Sequence, residues 1–174
     1  DNTWNTIHQH IIDESDKLID KPPVERVLIG RRLLDKSREA LRRIFYLSYS
    51  YRLTNQPMYR LRAEKEMLAV SEFTDWNPSH FLDVAEMTMG VAIGYDWLYD
   101  ALSPESRARI RNAMIEKGLK PSLDSRYNSW LKASHNWNQV CNAGMTFGAL
   151  AIYDEDKDLA RQLITRASGS ITLP

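Results

Sequence analysis

Residues 134–145 read Ser-His-Asn-Trp-Asn-Gln-Val-Cys-Asn-Ala-Gly-Met, a dense run of hydrogen-bonding side chains. The next residues, Thr-Phe-Gly-Ala-Leu-Ala-Ile, are too hydrophobic for a surface helix. The amides therefore crowd the first turns of a helix destined for burial. A buried amide left without a partner costs about 1–3 kcal/mol. Asn136, Asn138 and Gln139 thus cap the helix and satisfy one another internally, or they meet a polar ligand such as a sugar. His135 adds a side chain of the type that exchanges protons near neutral pH.

A second loop, Trp76-Asn77-Pro78-Ser79-His80, repeats the same residue types. Trp76, Tyr127, Trp130 and Trp137 are loop aromatics of the kind that stack on sugar rings, whereas Trp97 reads as core packing. Arg126 shares a loop with Tyr127 and Trp130 and is the expected carboxylate-binding cation. Asp83 and Glu86, three apart on an apolar helix, share one face. They pair with an arginine of a neighbouring helix, Arg60 or Arg62, or they contact sugar hydroxyls or supply glycosidase-like acid chemistry. Asp96 and Asp100 read as structural acids, and His8 and His10 as surface residues of a terminal helix. Cys141 is the one cysteine, which excludes an intrachain disulfide and a cysteine-based zinc site, and it reads as an inert core thiol. No phosphate loop, nucleophile elbow or zinc motif is present, so no cofactor or metal site is expected within this chain.

The elements that must position these residues recur at helical period, with no convincing alternating strand. Helices are expected over residues 3–20, 30–53, 58–73, 80–102, 104–118 and 137–152, with a last one ending near 167. The segment 119–134 reads as irregular. Ser103-Pro104-Glu105 is a strong helix start. An amphipathic helix is followed by a nearly all-apolar one twice, 58–73 with 80–102 and 104–118 with 137–152. Such alternation of outer and inner helices suggests an α/α toroid or an α-solenoid. In either, inner helices run parallel, and the loops 76–80 and 134–138 open onto one end, backed by helix N-termini that favour anions.

With 174 residues, 43% of them hydrophobic, the chain supports one core and a single domain. Lys plus Arg (23) equal Asp plus Glu (23), so bulk charge points neither to nucleic acid nor to a membrane surface. The balance is local, however: twelve basic side chains lie between Lys21 and Lys65 against four acidic ones. They form a solvated helix face or a field that attracts a polyanion. No apolar run reaches the length of a membrane span, and the N-terminus lacks a signal-peptide pattern.

The segment Phe81-Leu82-Asp83-Val84-Ala85-Glu86-Met87 continues to Ala92-Ile93-Gly94-Tyr95-Asp96-Trp97-Leu98-Tyr99-Asp100 and Leu102-Ser103-Pro104-Glu105. Together with Asn136-Trp137-Asn138-Gln139-Val140-Cys141-Asn142, it resembles the toroid domain of heparinase II/III-like polysaccharide lyases. The resemblance covers roughly residues 75–167. It implies an all-α fold whose helical hairpins form part of an incomplete (α/α) toroid, with a β-sandwich following. It also implies a periplasmic or secreted bacterial enzyme that cleaves uronate-containing polysaccharide by β-elimination. In related uronate lyases an Asn neutralises the uronate carboxylate; Asn136 falls there, followed by Trp137 rather than His, with His135 as its catalytic neighbour. Trp76, His80, Glu86, Arg126, Tyr127, Trp130, Trp137, Asn138 and Gln139 are then substrate-binding. The family's tyrosine lies on a later hairpin, so residues 1–174 are expected to be an N-terminal fragment that binds rather than catalyses. Its partners would be an acidic polysaccharide or oligosaccharide and the C-terminal part of the same polypeptide. Two alternatives stand beside this reading: a six-hairpin glycoside hydrolase using Asp83, Glu86 or Asp96, and a non-catalytic carbohydrate-binding domain.

Overall fold

Side-chain pattern and punctuation divide the chain into seven α-helices, seen in a computed structural model that describes residues 2–171. They are α1 (Asn2–Asp16), α2 (Leu34–Thr54), α3 (Pro57–Ser71), α4 (Phe81–Leu98), α5 (Pro104–Ala113), α6 (Asn136–Ala151) and α7 (Lys157–Ser170). The described residues contain no strand beyond an isolated bridge between Ile29 and Arg32, and the fold is all-α. The boundaries follow local chemistry. Ser103 caps α5 by accepting a hydrogen bond from the Ser106 N–H at 3.1 Å, with Pro104 in the first turn. Asn55, left-handed at φ 57°, stops α2 and donates its N–H to the Tyr51 carbonyl.

Helix α2 starts later than the expected residue 30. Gly30, at φ 61°, forms a tight turn closed by reciprocal backbone bonds between Ile29 and Arg32. A glycine at positive φ in the first central position matches a II′ turn. Helix α5 runs into a wider π-type turn over Met114–Leu119, then two short 3-10 segments, Lys120–Leu123 and Ser129–Lys132, occupy the stretch read as irregular. Lys117 is drawn back to the Ser71 and Phe73 carbonyls and so satisfies the C-terminal end of α3.

Helix α4 lies between α2 and α6, and glycines set the spacing and direction of these three. A Cβ on Gly90 would lie 2.7 Å from Leu41 Cα, and one on Gly94 would lie 2.4 Å from Ile44 Cγ2. Likewise a Cβ on Gly144 would lie 2.4 Å from the Ala85 carbonyl oxygen, and one on Gly148 would lie 2.7 Å from Thr88 Cγ2. Both series advance in the same sense, so α2, α4 and α6 run parallel and start at the same end. Helix α3 packs on α2 and α5, and α7 packs on α6. Ile44, Leu47, Met67, Met87, Tyr95, Ile110, Met145 and Leu163 fill the core. Among the described residues, no helix is long and apolar enough to cross a membrane.

Candidate functional site

The parallel course of α4 and α6 brings the two loops of like composition together. The His80 ring meets Trp137 edge-on with centroids 6.3 Å apart, and His135 meets Trp137 edge-on as well, also at 6.3 Å. Trp137 is half-buried, His80 half-buried and His135 exposed. The rim of α4 and the rim of α6 therefore share one aromatic and imidazole cluster. Beside it lies a groove of about 410 Å³ lined by Ser129, Trp130, Ala133, His135 and Trp137.

The two rims differ in electrostatics. In the first turn of α4, Asp83 is fully buried. Its oxygens accept from Arg32 Nη2 at 2.9 Å, the Leu33 N–H at 2.6 Å and Asn77 Nδ2 at 2.7 Å. The positive end of α4 is thus already met by a carboxylate. The first turn of α6 holds no acid. Its cap is His135, whose Nδ1 accepts from the Trp137 N–H at 3.4 Å, an arrangement that leaves Nε2 as the outward donor of the neutral ring. Asn136 and Gln139 are exposed, and their side chains make no hydrogen bond among the described residues. An anion approaching this end finds exposed amides and an imidazole at α6, and a compensated helix end at α4.

Asn77 fixes the α4 rim. It is left-handed at φ 65°, its N–H donates to Asp75 Oδ1 at 2.7 Å, and its amide bridges Asp83 to the Arg31 carbonyl at 2.9 Å. Asparagine tolerates this backbone where most residues do not. Burial works to raise Asp75, but hydrogen bonds from Arg26 and the Asn77 N–H outweigh it and hold the carboxyl below its ordinary value. The Gly30 turn thereby sets Arg31 beside residues 76–80. Arg31 is exposed and its guanidinium has no partner among the described residues. Lys132, just before the α6 rim, is equally exposed and unpaired. Arg31 was legible only as one of the twelve basic residues between Lys21 and Lys65, and Lys132 not at all, because a lone Lys in a polar stretch carries no signal until a turn places it.

Several expected contacts fall elsewhere. Trp76 is fully buried and its indole N–H donates to the Val70 carbonyl at 2.9 Å, so it is core and cannot stack on a ligand. Trp130 is 1% exposed, stacked on Phe81 at 5.2 Å and covered by the Arg166 guanidinium, so it closes the groove floor instead of presenting a face. Asn138 is fully buried as well. Its amide donates to the Trp130 and Leu131 carbonyls and to Ser170, a clamp between α6, α7 and the 3-10 segment that Asn142 extends. Arg126 is bound in a fork to Asp124, at 2.6 Å for its shortest contact, and lies over the Tyr127 ring. It is not a free cation, and half-buried Tyr127 packs toward the core on its other side.

Asp83 and Glu86 do pair with arginines, but these come from α2 and its approach, not from α3. Glu86 is held in a fork by Arg38 at 2.9–3.1 Å, while Arg60 and Arg62 pair within α3 with Glu64 and Glu66. With every oxygen engaged, Asp83 is withdrawn from the acid pair a hydrolase would need. Asp96, expected to be structural, is exposed and its carboxylate makes no hydrogen bond among the described residues. Cys141 is buried, and burial pushes its thiol up to about 12. Among the described residues no group of three His, Cys, Asp or Glu side chains is placed to hold a metal ion. No family model matches the sequence, and a search of curated proteins finds no significant match.

Proposed function

We propose that this chain is the N-terminal toroid portion of a heparinase II/III-like polysaccharide lyase and binds an acidic polysaccharide at the paired rims of α4 and α6. The observation that carries this reading is the meeting of His80, Trp137 and His135 at the start of an α6 that has no acid in its first turn. β-Elimination needs the uronate carboxylate neutralised so that the adjacent C–H becomes acidic, then a base for that proton and an acid for the leaving oxygen. Asn136 donates to the carboxylate, Arg31 and Lys132 supply positive charge, and Trp137 offers its exposed part to a sugar ring. His135 and Gln139 flank the same turn, and His80 faces it from the other rim. The rim supplies binding and charge neutralisation in this reading, and the resemblance assigns proton transfer to a tyrosine of a later hairpin. The same resemblance implies action in the periplasm or outside the cell.

Product chemistry tests the reaction. The full-length polypeptide, incubated with alginate or polygalacturonate, is expected to release oligosaccharides that absorb in the near ultraviolet through their new C=C bond. New reducing ends without that absorbance would overturn elimination in favour of hydrolysis. Retention of the polymer with no cleavage would overturn it in favour of a binding module.

A further inference from the structure

At the opposite end of the inner helices, the last turns of α2 and α4 enclose a cleft that the rim does not use. Two adjoining cavities of about 420 and 330 Å³ share Arg52, Asp96 and Trp97, the first walled by Tyr49 and the second by Asn55. Trp97 is half-buried, its ring 6.2 Å from Tyr49 and 5.3 Å from Phe45. Arg52 spends one N–H on the Trp97 carbonyl at 3.3 Å and is otherwise exposed.

Asp96 stands where it works against the fold. It lies in the last turn of α4, where the helix dipole disfavours an acid, and no basic residue occupies that turn. Asp100, four residues on, is also exposed and adds like charge on the same side. Neither carboxylate has a partner among the described residues. Residues that oppose local stability without compensation are expected at functional positions.

We infer that this cleft is a second saccharide site, taking an uncharged sugar unit whose ring face lies on Trp97 and whose hydroxyls donate to Asp96 and accept from Arg52. Aromatic surface with donors and acceptors set on both sides of it is what a polyhydroxylated ring matches. Two carboxylates against one guanidinium disfavour a uronate here, and Arg52 disfavours a free amine. The inference does not depend on the rim reading, because Trp97 reports on one site and Trp137 on the other.

The test uses the 174-residue chain labelled with 5-fluorotryptophan, each of its five tryptophan signals assigned by single Trp→Phe replacement. Cellohexaose, mannohexaose and maltohexaose are titrated in turn while fluorine spectra are recorded. At least one is expected to shift the Trp97 signal saturably while the buried Trp76 signal stays put. Asp96→Ala and Arg52→Ala should each weaken that binding about tenfold or more, as expected for a lost charge-assisted hydrogen bond. Asp96→Ala should also melt no lower than the parent, because it removes an unfavourable acid. The proposal is overturned if Trp97 is silent to all three sugars, or if spermine moves it and the sugars do not. It is equally overturned if Asp96→Ala lowers the melting temperature, which would reveal a structural partner.

Discussion

Asn136 and Asn138 are two residues apart and chemically identical, yet their surroundings assign them opposite work. Asn136 is exposed with a free amide, whereas Asn138 is sealed among the Trp130, Leu131 and Ser170 acceptors. Asn138→Ala is therefore expected to lower unfolding free energy by about 2–3 kcal/mol, since it strands buried polar groups. Asn136→Ala should stay within about 0.5 kcal/mol of the parent, as for an exposed substitution. Urea denaturation of both variants checks this; equal losses would contradict the assignment. Cys141 is sealed in the core as well. Burial pushes its thiol up to about 12, so iodoacetamide at mildly alkaline pH should leave it unmodified in the folded chain and label it only after denaturation. The amide-rich block was legible as a cluster that needs partners. Which amide faced inward was not, because the two faces of one helical turn divide between α7 and solvent only once α7 is in place.

For the helices, the decisive contacts are between backbones. Gly90 and Gly144 let α4 approach α2 and α6 closely, and an added Cβ would strike Leu41 Cα at 2.7 Å and the Ala85 carbonyl oxygen at 2.4 Å. Gly144→Ala and Gly90→Ala should each destabilise by about 1–3 kcal/mol through overpacking, despite alanine's better helix propensity. Thermal melts decide it, and a raised melting temperature would mean that the helices are not held at this spacing. Helix existence, order and the apolar character of α4 were readable from period and punctuation. The α2 start was misplaced because Gly30 was read as the first helical residue and instead forms a turn, and the π-type turn after α5 was invisible because it has no compositional mark. Trp76 and Trp130 were placed at a surface because flanking Pro, Ser and Asn advertise loops. Their burial depends on Val70, Phe81 and Arg166, which are distant in sequence.

Across the whole molecule, charge ties the N-terminal helices together. Burial works to raise Glu39, but hydrogen bonds from Arg42 and Arg43 outweigh it and hold the carboxyl at about 2, against an ordinary 4.5. Arg42 also reaches Glu14 of α1 at 3.5 Å, and Arg43 reaches the Pro22 carbonyl at 2.7 Å and Glu66 of α3 at 3.6 Å. A carboxyl depressed in the folded state contributes stability that is complete above pH 4.5 and is lost as pH falls toward 2. Melting temperature should accordingly fall across that window, and Glu39→Gln should flatten the fall while lowering stability at neutral pH. A variant with an unaltered acid limb would contradict this role. The basic excess between Lys21 and Lys65 is thus largely consumed by internal pairing, which leaves Arg31 among the few cations free to face a ligand.

An anionic sugar is proposed to bind where α4 and α6 begin. Isothermal titration calorimetry of the 174-residue chain with hexagalacturonate and hexamannuronate tests it most directly. At least one hexauronate is expected to bind, and Asn136→Ala and His135→Ala should each weaken it about tenfold or more. An absence of binding to both, or an affinity untouched by either substitution, would contradict the account.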